Sequence, residues 1–258
     1  MLGFTSMCTI LVAWRCVPGA PLLIAANRDE LLDRPTAPAG VLLEGPPRVA
    51  GGRDLAAGGT WMAVAADGRV TAVTNRHVGE RDPSRRSRGE LPLALLAAAD
   101  PVACLDALDA AAYNPANVLL AAPDVLVVRH LVADGDGPLW LGPGPHVLTT
   151  VDVDDSENPK AQRLGKLLRT AVEAVPDAST ALRRMEALLA DHGPDGDRGP
   201  DAACVHLERY GTRSSTSALV DDGGSVTYRV AEGTPCTTPF EDAGGLLAPG
   251  GRRSAAGG

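Results

Sequence analysis

The stretch MCTILVAWRCVPGAPLLIAANRDE, residues 7–30, decides the fold class. Residues 9–14 and 21–26 are short aliphatic and β-branched runs, and the turn sequence Val17-Pro18-Gly19-Ala20 separates them. This pattern predicts a β-hairpin at the start of the chain. The polar sequence Asn27-Arg28-Asp29-Glu30 then lies at the exit of the second strand, where it is a candidate for a functional site.

Cys8 immediately follows Met7, and this order raises the question of where the mature chain begins. If translation starts at Met7, or if cleavage exposes Cys8, the thiol and a free α-amine belong to the same residue. Residues 1–7 are then a leader or a start site assigned too early. The alternative is an internal Cys8 that is a buried thiol on a β-strand, which is a common fate for cysteine.

A second hairpin follows the first one along the chain. Residues 61–65 and 70–74 flank the turn pair Asp67-Gly68, so a hairpin that ends at Asn75 is predicted there. Between the two hairpins, the Pro- and Gly-rich residues 34–59 predict a long irregular connection with only short extended pieces.

Helices are predicted in the middle of the chain, with strands on both sides of them. Ser87 and Glu90 have the spacing of a capping box before a helix over residues 91–99, and Pro101 restarts a helix through Ala112. Two amphipathic helices are predicted, one over residues 160–175 and one around Leu182, Met185, Leu188 and Leu189. Strands are predicted over residues 118–122, 125–130, 139–141, 146–150, 203–207, 215–220 and 225–230. This order predicts an α+β fold in which two antiparallel sheets are stacked and covered by helices.

The composition predicts an ordinary globular protein. The 258 residues are 45% hydrophobic and 22% charged, which suits one domain or at most two. We place a single domain at residues 8–239, because residues 240–258 are rich in Gly, Ala, Pro and Arg and predict a disordered tail. The net charge of −8 argues against nucleic acid as a partner. The apolar run at residues 9–14 is too short for a signal peptide or a membrane span, so we expect a cytoplasmic protein without an integral membrane span.

The cysteines and histidines show no metal-site spacing in the sequence. The chain has five cysteines, an odd number, and no two of them form a C-x-x-C pair. The five histidines are scattered along the sequence. We therefore expect no disulfide framework, no zinc site and no bound metal. The residues concerned are Cys8, Cys16, Cys104, Cys204, Cys236, His77, His130, His146, His192 and His206.

Several short blocks stand in a fixed order along the chain: Met7-Cys8-Thr9, Ala26-Asn27-Arg28-Asp29-Glu30, Arg34-Pro35-Thr36, Gly52-Arg53-Asp54, Gly58-Gly59-Thr60-Trp61, Thr74-Asn75-Arg76, Ser87-Arg88-Gly89-Glu90-Leu91 and Tyr210-Gly211-Thr212-Arg213-Ser214-Ser215-Thr216. Their order and spacing resemble the NRDE family, the family of the transport and Golgi organisation protein 2, from Met7 to Gly233. The resemblance implies a four-layer αββα sandwich of the N-terminal-nucleophile (Ntn) hydrolase type, similar to the choloylglycine hydrolase and penicillin V acylase group. Family members begin with Met-Cys, which favours Met7 as the initiator.

The resemblance implies a catalytic site built around the first residue of the mature chain. The α-amine of Cys8 would accept the thiol proton and return it to the leaving group. Asp29 would orient that amine, and Asn75 would donate its side-chain amide to the oxyanion. Arg213 would be a cation near the thiol or would clamp a substrate carboxylate. The candidate site residues are thus the catalytic Cys8, Asp29, Asn75 and Arg213 and the substrate-binding Arg28 and Thr150.

Two positions depart from the choloylglycine-type pattern. Ala26 stands where those enzymes have an arginine, and Thr149-Thr150 stands where they have a second asparagine. A threonine hydroxyl can donate one hydrogen bond in place of that amide. Because of these departures, the sequence is compatible with both a catalytic and a non-catalytic function.

Three functions stay open at the level of sequence. The first is an amidohydrolase that cleaves a linear amide or acyl bond, a C–N bond other than a peptide bond, through a Cys8 thioester. The second, implied by the family's proposed links to haem trafficking and to lipid or acyl-CoA metabolism, is a non-enzymatic protein that binds haem or an acyl ligand in the same pocket. The third is a degenerate hydrolase retained as an interaction scaffold. The first needs no cofactor, and haem would be a bound ligand in the second.

Overall fold

Two antiparallel sheets account for all the strands in the part of the chain that the computed structural model describes, residues 8–76, 81–133, 135–194, 196 and 198–249. The strands are β1 (Thr9–Val17), β2 (Ala20–Leu31), β3 (Thr36–Leu43), β4 (Val49–Asp54), β5 (Met62–Ala65), β6 (Val70–Asn75), β7 (Ala116–Ala121), β8 (Leu126–Leu131), β9 (Leu139–Trp140), β10 (Gly144–Leu148), β11 (Tyr210–Val220), β12 (Val226–Ala231) and β13 (Glu241–Asp242). The helices are α1 (Leu91–Ala97), α2 (Pro101–Asp106), α3 (Pro159–Val172) and α4 (Ala178–Leu189). The predicted leader at residues 1–7, the end of the predicted tail at residues 250–258, and His77 lie outside the described residues.

Side-chain alternation along the strands explains why the two sheets stack. The first sheet has the order β10-β1-β2-β11-β12-β13, and the second runs from β3 to β9 in chain order. In β1, Ile10 and Val12 point into a buried cluster shared by both sheets, whereas Leu11 and Ala13 pack in a cluster with α3 and α4. The outer face of the second sheet packs on α1 and α2 through a cluster that includes Leu95. The four layers form the αββα sandwich that the sequence predicted.

β2 extends further than the sequence pattern predicted. The aliphatic run ends at Ala26, but β2 continues to pair with β11 as far as Leu31, which lies opposite Tyr210. The prediction that residues 27–30 follow the strand was therefore wrong, because the hydrogen-bond ladder with β11, and not an apolar side-chain pattern, holds this segment extended.

Residues 34–59 contain more regular structure than their composition predicted. They form β3 and β4, which pair with each other through a register with two irregularities. β3 is the edge of its sheet, so Pro38 can lie within it without breaking the ladder on both sides. Because this segment forms two paired strands, the prediction of a long irregular connection was wrong.

The predicted helices are present, but two of their boundaries differ. Ser87 makes no side-chain cap, and α1 begins after a 3-10 turn at Arg88–Glu90. The Glu90 carboxylate instead accepts a hydrogen bond of 2.7 Å from the Tyr113 hydroxyl, so the capping-box prediction was wrong. The helix predicted through Ala112 ends at Asp106. None of the helices in the described part of the chain is both long and apolar enough to cross a bilayer.

Two predictions near the C-terminus were also wrong. Residues 203–207 form an irregular segment with one isolated bridge, from His206 to Gly211, in place of a strand. Residues 240–249 are not a disordered tail, because β13 pairs with β12 and Leu247 is buried in the cluster between the sheets. The domain therefore extends beyond the boundary that composition suggested.

Candidate active site

A cavity of about 510 Å³ opens at the end of the sandwich where β1 and β5 begin and β2 and β6 end. Cys8 lines it from the position just before β1, and Asn75 lines it from the last residue of β6. Residues 28–31 of β2, Trp61 and part of the segment over residues 81–89 also contribute to its walls. The two hairpins therefore bring residues that are distant in sequence to one cavity.

Successive side chains of β2 point to opposite faces of the sheet, so the four residues Asn27-Arg28-Asp29-Glu30 are shared between the two faces. Asn27 faces the helix layer, where its amide donates hydrogen bonds of 2.8 Å to the carbonyl oxygens of Leu189 and Ala203. Its side-chain oxygen accepts a hydrogen bond of 2.6 Å from the Ser215 hydroxyl. Asn27 is thus a structural residue that ties β2 to the segment after α4.

Asp29 is buried next to Cys8, with one of its two carboxylate oxygens bonded. Oδ1 accepts a hydrogen bond of 2.5 Å from the Thr212 hydroxyl, and the backbone carbonyl oxygen accepts one of 2.8 Å from the Tyr210 hydroxyl. Oδ2 is buried and has no hydrogen-bond partner among the described residues. Since an unpaired buried acceptor is costly, this oxygen marks a position where a further donor would be stabilised.

Lys160 is a buried cation close to Asp29. It lies in the first turn of α3, with 5% of its surface exposed. Burial raises the pKa of Asp29, and the charge of Lys160 is the strongest influence that opposes this rise. Burial likewise lowers the pKa of Lys160, against the attraction of Asp29 and Cys8. Each residue therefore favours the charged form of the other in a site that is hostile to an isolated charge.

The Cys8 thiol lies among cations. Its Sγ contacts the carbonyl oxygen of Asp29 at 3.6 Å as a weak hydrogen-bond donor. Burial lowers the pKa of Arg28, Arg88 and Lys160, and negative charge on Cys8 partly offsets that lowering for each of them. Arg28, Arg88 and Lys160 therefore lie close enough to Cys8 to interact with a charge on its sulfur.

Arg28 forms part of the cavity wall in contact with an aromatic ring. Its guanidinium carbon lies 4.3 Å from the ring centroid of Trp61, and its Nη2 lies 3.9 Å from a carboxylate oxygen of Glu30. Its Nη1 is buried and, within the described part of the chain, has no hydrogen-bond partner. A Cβ at position 52 would lie 2.1 Å from the Trp61 ring, which explains why Gly52 stands there. The spare guanidinium donor suits an anionic group of a ligand.

Arginine dominates the charge of the cavity, although the whole chain has a net charge of −8. Arg34 pairs with Asp54 at 2.6 Å, and Arg88 donates a hydrogen bond of 3.0 Å to the Pro115 carbonyl oxygen. Burial lowers the pKa of Arg88 to about 10, so this residue is still a cation at neutral pH. Among the described residues, the charged side chains that line the cavity are Arg28, Arg34, Arg76, Arg81, Arg85, Arg86, Arg88, Asp29, Glu30 and Asp54. The net charge of the chain did not reveal this local positive field.

Two of the six predicted site residues do not line the cavity. Arg213 donates hydrogen bonds to the backbone carbonyl oxygens of Leu31 and Arg34, so it fastens the turn after β2 and the prediction of a cation or clamp there is not supported. Thr150 lies two residues beyond the end of β10. Its side chain is not part of the cavity wall. The residues that do line the cavity are Cys8, Arg28, Asp29 and Asn75.

Sequence reasoning missed Lys160, Arg88 and Thr212. Lys160 carried a detectable signal, because it falls on the apolar stripe of Leu164 and Leu168 at intervals of four residues. A lysine on such a stripe is unusual, since a lysine is almost never fully buried unless it is paired. Arg88 and Thr212 lie within the sequence blocks quoted above, but no rule of spacing gives them a contact with Cys8 or Asp29.

A second group of chemically active side chains comes together in the structure, although the sequence predicted no metal site. It consists of His192, Cys204, His206 and Cys236. Their ligand atoms all lie within 4.8 Å of one another, and none of the four lines the cavity. The absence of metal-site spacing in the sequence therefore did not reveal that these side chains meet in space. The pairing of β11 with β12 brings the segment before β11 next to the segment after β12, which linear spacing does not show.

Comparison with known proteins identifies relatives in sequence and in structure. A family model described as Transport and Golgi organisation 2 matches residues 7–232. The Transport and Golgi organization 2 homolog of mouse is 31% identical over 238 residues, which cover 80% of this chain and 84% of the relative. The human homolog is 31% identical over 239 residues with the same coverage. The solved structure of the N-acylethanolamine-hydrolyzing acid amidase ortholog of Caenorhabditis elegans aligns with a TM-score of 0.55 and 13% identity, over 82% of this chain and 92% of that chain.

Proposed function

This chain belongs to the Transport and Golgi organisation 2 family and has the fold of the Ntn hydrolases, and from that premise we propose that it is a cysteine amidohydrolase. The proposed substrate contains a linear amide or a related acyl bond. The proposed nucleophile is Cys8 with a free α-amine, after residues 1–7 have been removed. The observation that carries the proposal is the buried, unpaired Oδ2 of Asp29 beside Cys8.

The position of Asp29 suits a free amine at Cys8. The Cys8 Sγ lies 3.6 Å from the backbone carbonyl oxygen of Asp29, so Cys8 is next to this residue. A free α-ammonium group has three N–H donors and titrates near neutral pH, at about 7.7–8.0. The same nitrogen in a chain that retains Met7 is an amide with one N–H and no basicity. An α-ammonium group would supply the donor that Asp29 Oδ2 lacks.

The proposed reaction needs one base, which the α-amine of Cys8 provides. The amine takes the thiol proton, and the thiolate attacks the carbonyl carbon of the substrate. The oxyanion that forms accepts a hydrogen bond from the side-chain amide of Asn75. The C–N bond then breaks, and the α-ammonium group protonates the leaving amine, which leaves a thioester on Cys8. Water loses a proton to the α-amine, attacks the thioester and releases the acid, which restores the thiol.

The arginines of the cavity support a choice among amide substrates. The C. elegans structural relative is described as hydrolysing N-acylethanolamines, whose amine part carries no charge. In this chain, the spare donor of Arg28 and the surrounding arginines favour a substrate with a carboxylate or phosphate near the scissile bond. We therefore expect N-acyl amino acids to be hydrolysed faster than N-acylethanolamines of the same chain length.

The proposal is tested with two forms of the protein, one beginning at Cys8 and one retaining residues 1–7. Amine release from N-acyl amino acids is expected for the first form only, and Cys8→Ala is expected to abolish it. Cys16→Ala is the matched control, because Cys16 is a partly buried thiol at the other end of β1. Full turnover by the Cys8→Ala protein would refute the proposed mechanism.

The arginine-rich cavity also favours a second candidate function, a protein that binds an anionic acyl ligand or haem without turnover. Haem propionates or acyl-CoA phosphates would provide the negative charge that the arginines match. The described lining contains two aromatic residues, Trp61 and Tyr210, so stacking on a porphyrin would be limited. Titration of the wild type with haemin and with acyl-CoA separates the candidates. Saturable binding without release of product would favour the binding protein.

A further inference from the structure

Three segments that flank elements of the first sheet and its helix layer meet at one point. They bring together the side chains of His192, Cys204, His206 and Cys236. His192 follows α4, Cys204 and His206 precede β11, and Cys236 follows β12. The four ligand atoms lie within 4.8 Å of one another, and Cys204 is fully buried while the others are partly buried. Two imidazole nitrogens and two thiol sulfurs form the donor set that is typical of structural zinc.

The three distances among the ligand atoms of Cys204, His206 and Cys236 are close to those in a tetrahedral zinc site. Zn–S bonds of about 2.3 Å and Zn–N bonds of about 2.0–2.1 Å set two sulfurs about 3.8 Å apart and a sulfur about 3.5 Å from a nitrogen. The Sγ atoms of Cys204 and Cys236 are 3.7 Å apart. Each of them lies 3.3 Å from Nε2 of His206. A central ion could therefore contact these atoms with little rearrangement.

His192 supplies an independent observation that points to a ligand. Its Nε2 is buried and has no hydrogen-bond partner in the described part of the chain. Its ring packs edge-on against that of His206, with the centroids 5.2 Å apart and the ring planes at 72°. A buried imidazole nitrogen without a partner is costly, and coordination to a metal would satisfy it.

We propose that His192, Cys204, His206 and Cys236 bind one Zn²⁺ ion in a closed, structural site. On binding, the two thiols release their protons to solvent, and two thiolates with two neutral imidazoles balance the charge of the ion. Four protein ligands leave no open position for water, so the site stabilises the fold and does not catalyse a reaction.

The site connects to the candidate active site through the segment that carries Cys204. The carbonyl oxygen of the preceding Ala203 accepts a hydrogen bond from Asn27, and the amide of the following Val205 donates one to the Thr212 hydroxyl. Thr212 in turn donates to Asp29. The metal would thus fix the backbone on which the buried carboxylate of the cavity depends.

The test is the metal content of the full-length, untagged chain purified under reducing conditions, measured by inductively coupled plasma mass spectrometry. About one zinc ion per chain is expected. Cys204→Ser, Cys236→Ser and His206→Ala are each expected to lose most of the zinc, whereas Cys16→Ser and Cys104→Ser retain it. Cys8→Ala also retains it, so failure of the proposed hydrolase and failure of the zinc site are distinguishable.

Cobalt binding to the wild type tests the site even if the variants do not fold. Chain stripped of metal with a chelator and titrated with Co²⁺ is expected to develop thiolate-to-cobalt charge-transfer bands and strong visible absorption typical of a tetrahedral site, with an endpoint at one equivalent. Chelation is also expected to lower the melting temperature. Weak octahedral cobalt absorption, zinc content no higher in the wild type than in Cys204→Ser, or a Cys204–Cys236 disulfide in the reduced preparation would overturn the proposal.

Discussion

Replacement of Thr212 by valine tests how the buried carboxylate of the candidate site is held. The Thr212 hydroxyl donates a hydrogen bond of 2.5 Å to Asp29 and accepts one of 2.9 Å from the Val205 amide, and all of these groups are buried. Valine has nearly the same shape but makes neither bond. A buried group left unpaired costs about 1–3 kcal/mol, and more when it is charged. We therefore expect Thr212→Val to lower the free energy of unfolding by roughly 3 kcal/mol.

Thr216→Val on the same strand is the matched control for this substitution. Thr216 is also buried, but its hydroxyl makes no hydrogen bond among the described residues, so a change within about 0.5 kcal/mol is expected. Urea denaturation with linear extrapolation measures both values. The Thr212 hydrogen bond also lowers the pKa of Asp29, so its loss shifts the acid limb of kcat/KM to higher pH. Equal destabilisation by the two substitutions would refute this reasoning.

Three further predictions concern packing and charge around the site and at the sheet edge. Gly52→Ala sets a methyl group 2.1 Å from the Trp61 ring, and we expect this overpacking to cost about 1–3 kcal/mol in chemical denaturation and to change the tryptophan fluorescence. Lys160→Met removes the cation that lowers the pKa of Asp29, so the acid limb of kcat/KM should move to higher pH, and an unchanged profile would exclude this coupling. Burial alone would lower the pKa of His146, but hydrogen bonding, chiefly to the Asp154 carboxylate, outweighs burial and raises it. Protonated His146 therefore stabilises the fold fully below about pH 6.5, and this contribution is lost as the pH rises through the raised pKa. Asp154→Asn should flatten the dependence of the unfolding free energy on pH in that window.

The lysine substitution has a matched control on the same helix. Lys166 lies on the exposed face of α3, so Lys166→Met removes an equal charge without affecting the buried site. A shift of the pH profile in both variants would point to a general change in the charge of the protein. A shift in the Lys160 variant alone is the expected result.

The layered architecture could be predicted from the sequence because it depends on local patterns. The two N-terminal hairpins follow from aliphatic runs around turn residues, and the helices α3 and α4 follow from apolar residues at helical spacing. The length of β2 could not be predicted in this way. Its last residues are polar, and they are extended because β11, nearly two hundred positions away in the chain, pairs with them.

The chemistry of the site was predictable only in part for a related reason. Cys8, Asp29 and Asn75 lie at or near strand ends and line the cavity, and the resemblance to the NRDE family made them candidates. Lys160 and Arg88 act on Cys8 from distant elements, and Arg213 points to a backbone turn, which spacing along the chain does not encode. The cluster of two histidines and two cysteines could not be predicted for the same reason, because spacing along the chain does not show which distant segments meet.

In the proposed mechanism, the sulfur and the free amine of Cys8 act together in the arginine-lined cavity. Intact-mass analysis of protein isolated from its native host, before and after brief treatment with iodoacetamide, tests this claim most directly. We predict a mature mass without residues 1–7 and one rapid alkylation at Cys8. A mature chain that retains those residues, with Cys8 no more reactive than Cys16, would contradict the account.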